Sequence, residues 1–279
     1  MPGLTYYNGQ VAPYEDIKIP LTDRSIFFGD AVYEVMIGRC GRVYQLSEHI
    51  LRLMNGAQAL EIEFGMTISE LSNIIDNLVK DYQNEEFLLY LQLSRKCDKR
   101  EHIYAHNSHS NLLIYTDNVL IRESLVPISL ITQKDLRYEY CNIKTVNLLP
   151  AVLASTKAHR MGADECVFLR NGIVTECSRS NVMIIKDDVL YAPKENEYIL
   201  PGITMANVFK ICNENGIDVQ RRDLGYSDLI NADEILTTST TKLARRVYKI
   251  NGIPVGMKNA SLAHMISDQL LSKFTNTNC

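Results

Sequence analysis

The segment NIKTVNLLP, residues 142–150, sets a lysine in an apolar, otherwise uncharged stretch just ahead of a proline that suits a helix start. Burial of an unpartnered ammonium costs several kcal/mol. Lys144 therefore either snorkels from a core edge with its head in water, or is a desolvated amine whose lowered pKa makes it a nucleophile. A nucleophilic amine needs a carbonyl to attack. Glu176, in VTECSRSN, ends an apolar strand, where a carboxylate can hold a buried positive charge; a solvated turn glutamate is the alternative. LPGITMANVF turns a loop into a helix start, whose free N–H groups and dipole favour an anion. TTSTT, residues 237–241, sets hydroxyls on consecutive positions after a strand, as a second anion cradle or as a solvated strand face. Arg52 adds a fork of donors to such a site, or is a surface arginine.

An amine, a carboxylate and anion cradles together match the needs of one cofactor. Pyridoxal 5'-phosphate brings an aldehyde, a ring nitrogen that must stay protonated to accept electrons, and a phosphate dianion, and each demands its own residue type. On composition and spacing alone, a cofactor enzyme and a ligand-binding or structural domain both stay open.

The elements that must position these residues read as two domains of an α+β or α/β chain. SEHILRLMNGAQAL predicts a helix with Ile50, Leu53, Met54, Ala57 and Leu60 on one face, Ser47 as N-cap and Glu48 in the first turn. TISELSNIIDNLVKDY predicts a second, opened by Thr67 and Glu70 in capping-box spacing and burying Leu71, Ile74, Ile75, Leu78 and Val79. DAVYEVMI, EEFLLYLQLS and NLLIYTD read as strands. Residues 1–118 are thus expected to form a smaller α+β domain, with a linker at 119–123 inside NVLIRES. A larger, β-rich domain follows over 124–279, with strands expected in VPISLITQ, CNIKTVN, DECVFLRNGIVTE, NVMIIKDDVLYAP, IDVQRRDL and DEILTTST. Asn171-Gly172 predicts a tight hairpin. LLPAVLASTKAHRMG, with Pro150 at the first helical position and Gly162 at the end, and GITMANVFKICNENG, ending at Gly216, predict helices. The chain shows no internal repeat and no low-complexity tract.

Composition narrows the function classes. At 279 residues, 46% hydrophobic and 22% charged, the chain has the make-up of a globular protein long enough to bury a sizeable core. A formal charge of −4 lacks the basic excess that phosphate-backbone binding requires, so no nucleic-acid partner is expected. Seven cysteines with no C-x-x-C pair, and no metal-like spacing with the six histidines, predict no metal site and a reduced, cytoplasmic chain. MPGLTYYNGQ has neither a charged n-region nor an apolar h-region, and no apolar run is long enough to span a bilayer, so no membrane association is expected.

Taken in order, these motifs resemble those of the fold-type IV pyridoxal-phosphate enzymes, which include branched-chain and D-amino-acid aminotransferases and aminodeoxychorismate lyase. The likeness covers nearly the whole length. DRSIFFGDAVYEV is similar to the family's N-terminal signature, SEHILRL to its phosphate-arginine helix, and NIKTVNLLPAVLA to its Schiff-base lysine segment. GIVTECSRSN is similar to its pyridinium-carboxylate turn, and ILPGIT and ILTTSTT to its two phosphate loops. The resemblance implies that Lys144 forms the Schiff base and then moves the proton between substrate Cα and cofactor C4′. It implies that Glu176 sits beside the ring nitrogen, that Arg52, Ile203, Thr204, Ser239 and Thr240 hold the phosphate, and that Ser180 belongs to the cofactor site.

SRKCDKREHIY is similar to the substrate-carboxylate trap of the D-amino-acid (D-alanine) aminotransferases, which makes Arg100, His102 and Tyr33 the substrate-binding set. An arginine fork with a hydroxyl and an imidazole donor is also what an α-carboxylate requires on physical grounds. The resemblance further implies a homodimer whose active site lies at the subunit interface, with Arg100 and His102 reaching in from the partner. The activity expected is transamination between a D-alanine-like amino acid and a 2-oxo acid such as 2-oxoglutarate. The alternatives are a branched-chain L-aminotransferase, aminodeoxychorismate lyase, and a non-enzymatic cofactor carrier or ligand-binding homologue. Cys177 and Arg179 depart from the family's glycine and small residues, and would narrow the pocket or add a charge beside the phosphate. Arg245 and Arg246 replace a typical threonine-proline pair, so the strand leading to YKINGIPVG is expected to run differently.

Overall fold

The computed structural model describes residues 3–82, 85–104, 110–121 and 126–276. The chain divides into two compact units, Met1–Leu120 with Ile143–Asn147 and Thr275–Cys279, and Ile121–Asn142 with Leu148–Phe274. Residues 122 and 123 of the expected linker lie outside the described residues. The lysine segment thus groups with the first unit although it follows that unit's last strand by more than twenty residues.

In the first unit the strands are β1 (Leu4–Tyr7), β2 (Gln10–Pro13), β3 (Ala31–Arg39), β4 (Arg42–Val43), β5 (Glu86–Ser94) and β6 (Asn111–Asn118). Among the described residues they form one sheet in the order β2-β1-β6-β5-β3-β4. Period-2 alternation puts Phe87, Leu89, Leu91 and Leu93 of β5 on one face, where they are buried. Among the described residues the α-helices here are α1 (Arg24–Phe28), α2 (Leu46–Ala59) and α3 (Ile68–Val79). Ile50, Leu53 and Ala57 of α2 join Leu71, Ile75, Leu78 and Val79 of α3 against the apolar sheet face. Each leucine, isoleucine or valine among them contributes about 1.5–3 kcal/mol on full burial. The Thr67–Glu70 capping box forms as expected. Ser47, by contrast, is not the N-cap of α2: the helix starts two residues earlier than that cap implies, at Leu46, after Gln45 in a left-handed conformation (φ 54°) with no side-chain cap.

CNIKTVN is not a strand. Its central residues instead cover backbone that β4 leaves unpaired, because β4 pairs only with Gly38 and Arg39. Tyr33 N donates to Lys144 O at 2.9 Å, Val146 N donates to Ala31 O at 3.3 Å, and Val32 and Thr145 form an isolated antiparallel bridge. The edge's N–H and C=O groups find partners this way.

The second unit carries β7 (Ile128–Lys134), β8 (Glu165–Arg170), β9 (Ile173–Cys177), β10 (Asn181–Lys186), β11 (Val189–Ala192), β12 (Val219–Arg221), β13 (Glu234–Ser239), β14 (Leu243–Ile250) and β15 (Ile253–Pro254). Their order is β12-β11-β10-β13-β14-β7-β8-β9, with β15 on β14. The β8–β9 hairpin turns at Asn171 (φ 52°) and Gly172 (φ 83°), two successive left-handed residues of the type its tight turn demands. Here the helices are α4 (Leu149–Arg160), α5 (Ile203–Glu214), α6 (Tyr226–Asn231) and α7 (Ala260–Thr275). Pro150 is the second residue of α4, not the first. β14 runs continuously through Arg245 and Arg246, with one irregularity between Val247 and Lys249 in its pairing to β7.

Cys97, Cys141, Cys166, Cys177 and Cys212 are free thiols, whereas Cys40 is disulfide-bonded, a departure from the fully reduced set expected. No helix among the described residues is long and apolar enough to cross a membrane, and no group of three or more metal-ligating side chains occurs among them.

Candidate active site

In the first unit Lys144 is half-buried and its Nζ lies 4.4 Å from the centroid of the Tyr33 ring. Among the described residues its Nζ makes neither a hydrogen bond nor an ion pair. Strand alternation turns Tyr33 to the sheet face opposite Glu34, and there it stacks on Tyr90 (centroids 5.6 Å apart), which stacks on Tyr115 (4.9 Å). Burial, with the neighbouring Tyr33 and Tyr115, raises the Tyr90 hydroxyl well above the ordinary phenol range.

Glu34 points into the core and binds two residues of α2. Arg52 Nε and Nη2 fork onto its two oxygens at 2.7 and 2.8 Å, and His49 Nδ1 lies 2.7 Å from Oε2. Burial pushes the Glu34 carboxyl up, but the hydrogen bonds and charges of Arg52 and His49 outweigh it and bring the pKa down to about 2. Burial lowers the His49 pKa against the pull of Glu34, and the Arg52 and Lys144 charges lower it further. A carboxyl depressed in the folded state contributes stability above its unfolded pKa and loses it as pH falls. Glu34→Gln is therefore expected to flatten the acid-unfolding curve between about pH 4.5 and 2. Urea midpoints measured across that window check this.

Arg100 and His102 are exposed and share one platform. The Arg100 guanidinium lies 5.9 and 5.7 Å from the ring centroids of Phe27 and Phe28, and the His102 ring 5.4 Å from that of Phe28. Their loop is pinned from below by buried Arg24, whose Nη1 donates to Glu101 O at 2.7 Å while its Nε pairs with Asp30 at 2.9 Å.

In the second unit Glu176 is buried at the end of β9, not solvated in a turn. Its Oε1 accepts from Arg137 Nη1, and its Oε2 from Asn181 Nδ2 at 3.0 Å and Leu200 N at 3.1 Å. Arg137 is itself locked. It donates from Nε to Asp135 Oδ1 at 3.0 Å, and from Nη2 to Asp135 Oδ2 at 2.8 Å and Tyr198 O at 2.9 Å. Burial acts to lower the Arg137 pKa, but Asp135 and Glu176 more than reverse it. Gly202 passes so close to Asn181 that a Cβ there would meet Oδ1 at 1.9 Å, so glycine is what lets this amide hold Glu176. As N-cap of α5, Gly202 offers no side-chain cap, which leaves the first-turn N–H groups, those of Ile203 and Thr204 among them, open to an anion. Ser239 ends β13 and Thr240 follows it, both half-buried. Ser180 spends its hydroxyl on Glu165 Oε1 at 3.0 Å.

Of the expected site residues, the first unit carries Tyr33, Arg52, Arg100, His102 and Lys144, with Lys144 against Tyr33 and with Arg100 and His102 together on Phe27–Phe28, and the second carries Glu176, Ser180, Ile203, Thr204, Ser239 and Thr240. Neither Glu34 and His49 nor Arg137, Asp135 and Asn181 were among the expected site residues. A carboxylate at an inward strand position, two residues from Val32 and from Met36, was a legible signal for Glu34. Arg137 had none, since its partners lie 38–61 residues further along the chain, apart from Asp135.

Each unit carries groups of the kind pyridoxal 5'-phosphate requires: the first an amine with no ion-pair partner among the described residues, the second a buried carboxylate held by Arg137, Asn181 and Leu200 N and an uncapped helix start. Residues 31–250 match the family model for amino-transferase class IV. The chain is 34% identical to the D-alanine aminotransferase of Bacillus licheniformis over 90% of this chain and 89% of that one. To the D-alanine aminotransferase of Listeria monocytogenes it is 33% identical, over 89% and 88%. Among solved structures, the T.th. branched-chain amino acid aminotransferase with pyridoxamine 5'-phosphate superposes with a TM-score of 0.89 at 23% identity, covering 100% of this chain and 96% of that one. The branched-chain amino acid aminotransferase of Escherichia coli gives 0.89 at 21%, covering 98% and 95%. The chain belongs to the class IV aminotransferases, of fold-type IV, and is a pyridoxal-phosphate-dependent enzyme acting on small amino and oxo acids.

Proposed function

We propose that the protein transfers the amino group of a D-alanine-like D-amino acid to a 2-oxo acid such as 2-oxoglutarate. The observation that carries this reading is the Arg100–His102 pair, exposed on its Phe27–Phe28 platform and pinned by Arg24, in a chain one-third identical to D-alanine aminotransferases. When bound, pyridoxal phosphate supplies an electrophilic carbon for the substrate amine and a sink for the electron pair released at Cα.

The protein's residues do the rest. Lys144 Nζ takes the proton from Cα and returns it on the other side of the exchange. Glu176, its oxygens aimed by Arg137, Asn181 and Leu200 N, accepts the hydrogen bond of the ring nitrogen. Arg52, the Ile203 and Thr204 N–H groups and the Ser239 and Thr240 hydroxyls hold the phosphate, and Ser180 supports that site through Glu165. Arg100, His102 and the Tyr33 hydroxyl bind the α-carboxylate and so fix the hand of the substrate. The exposure of Arg100 and His102 suits a homodimer in which they serve the partner's site; Ile103 beside them is 85% exposed. A cytoplasmic setting is part of this reading and is supported by the five free thiols, against which stands the disulfide at Cys40.

A panel of D- and L-donors against 2-oxoglutarate and pyruvate tests the reading. Pyruvate is expected from D-alanine with 2-oxoglutarate, and turnover of L-leucine without D-alanine would overturn it. In Arg100→Ala/His102→Ala the KM for D-alanine is expected to rise about ten- to a hundredfold, the worth of a lost charge-assisted contact. An L-selective enzyme would be little changed.

A further inference from the structure

Arg24, Phe28 and Asp30 all fall in the segment DRSIFFGD, and with Arg95 they build a cradle for the loop that carries Arg100 and His102. Arg24 opens α1 and Phe28 closes it, four residues apart and so on one face of the helix, and the Arg24 guanidinium lies 4.6 Å from the Phe28 ring centroid. Asp30 Oδ2 accepts from two buried guanidiniums at once, Arg24 Nε and Arg95 Nε, each at 2.9 Å. The other N–H groups of these arginines reach backbone carbonyls. Arg24 Nη1 donates to Glu101 O at 2.7 Å, and Arg95 Nη1 and Nη2 donate to Glu61 O at 2.7 Å and Leu60 O at 2.6 Å, just past the end of α2. Arg95 N also donates to Asp30 O and Asp98 N to Thr22 O, both at 3.1 Å, and the Tyr104 ring centroid lies 3.7 Å from the Arg95 guanidinium. The loop is therefore held at its start, its middle and its end. Stability alone does not call for this device, since replacing a buried ionic cluster by apolar side chains of the same volume is often neutral or stabilising. What the cations add is direction, because a planar fork fixes the groups it binds in distance and angle. The Phe28 ring then faces both donors of the pair, the His102 ring at 5.4 Å and the Arg100 guanidinium at 5.7 Å.

We propose that Asp30, Arg24, Arg95 and Phe28 are positioning residues for the Arg100–His102 pair: Asp30 and its two arginines set the course of the loop, and the Phe28 ring sets where the two donors lie, so that both meet one α-carboxylate. The inference rests on the reading of that pair as the substrate-carboxylate trap. A charge-assisted fork keeps its strength only over a narrow range of distance and angle. A loop free to drift would retain the arginine and the imidazole and lose their common target. All four residues act through Arg100 and His102, and leave the proton transfer at Lys144 alone.

The test compares the wild-type holoenzyme with Asp30→Asn and Phe28→Leu. Asp30→Asn keeps the shape and an acceptor oxygen but removes the charge that two guanidiniums share. The KM for D-alanine and that for 2-oxoglutarate should both rise about tenfold, since each substrate presents an α-carboxylate, while kcat holds within about twofold. Phe28→Leu removes no charge and takes the ring from under the pair, so the same two KM values should rise about two- to fivefold. This variant decides the matter if Asp30→Asn does not fold. Both effects should vanish in the Arg100→Ala/His102→Ala background, where no pair is left to position. General loosening of the unit would persist there. Wild-type KM values in the folded variants, a fall in kcat in place of the rise in KM, or effects undiminished in the double-variant background overturn the proposal. If the single substitutions do nothing while Arg100→Ala/His102→Ala raises the KM, the trap reading stands without its cradle. If Arg100→Ala/His102→Ala itself leaves the KM for D-alanine unchanged, the trap reading falls and takes the cradle with it.

Discussion

Lys144→Ala is expected to lower turnover by about 10²–10⁴-fold, the range over which a positioned acid-base group contributes. The reason lies in how few alternatives the structure offers. Nζ has no carboxylate partner among the described residues and faces the Tyr33 ring at 4.4 Å, while its backbone is tied to β3 through Tyr33 N and Val146 N. Another lysine would have to displace that tied segment to reach the same place. Lys144→Arg keeps a cation over the ring but presents no nucleophilic amine at neutral pH, so it should lose nearly as much as the alanine variant. A fixed positive charge serving only electrostatics would survive that exchange. Borohydride reduction of the holoenzyme followed by peptide mapping gives an independent readout. The cofactor should be found on the peptide containing Lys144, and its recovery on any other lysine would end this assignment.

How much of this was legible in the sequence depends on the range of the interaction. Local signals carried well: the Thr67–Glu70 capping box, the Asn171-Gly172 turn and the alternation of β5 are each set by residues a few positions apart. Where a segment's state is decided by a distant partner, the local pattern misled. CNIKTVN has branched residues that read as a strand, yet it forms only an isolated bridge because a free stretch of β3 was available to it. Ser47 has the right chemistry for an N-cap, but α2 begins before it. At the candidate site the motifs marked Lys144, Glu176 and the uncapped start of α5, since lysine in an apolar run and glycine before a helix are visible in one dimension. The residues that orient them were not visible. Glu34 reaches Arg52 across 18 positions and Arg137 reaches Glu176 across 39. No periodicity announces a pairing of that kind.

Arg137→Ala should destabilise the second unit by about 3–5 kcal/mol, because it removes one partner from a buried ionic network and leaves the others uncompensated. Asp135, whose side chain is fully buried, would keep only the Thr175 hydroxyl at 3.0 Å of its side-chain donors near that distance, with Arg170 at 3.4 Å. Tyr198 O also loses the guanidinium that donates to it, which frees the chain leading to Leu200. Arg137→Lys should recover part of the loss and no more, since one ammonium cannot reach Asp135, Glu176 and Tyr198 O together. Function should respond in a way that mere loosening would not. Glu176 retains Asn181 and Leu200 N on Oε2 but loses the Arg137 Nη1 donor on Oε1, so the carboxylate stays in place while it is oriented less tightly. The expected signature in the lysine variant, assayed well below its unfolding midpoint in urea, is a fall in kcat with little change in the KM for the amino donor. An unfolding midpoint for Arg137→Ala within about 1 kcal/mol of wild type would show that the network around Glu176 is not what holds this end of β9.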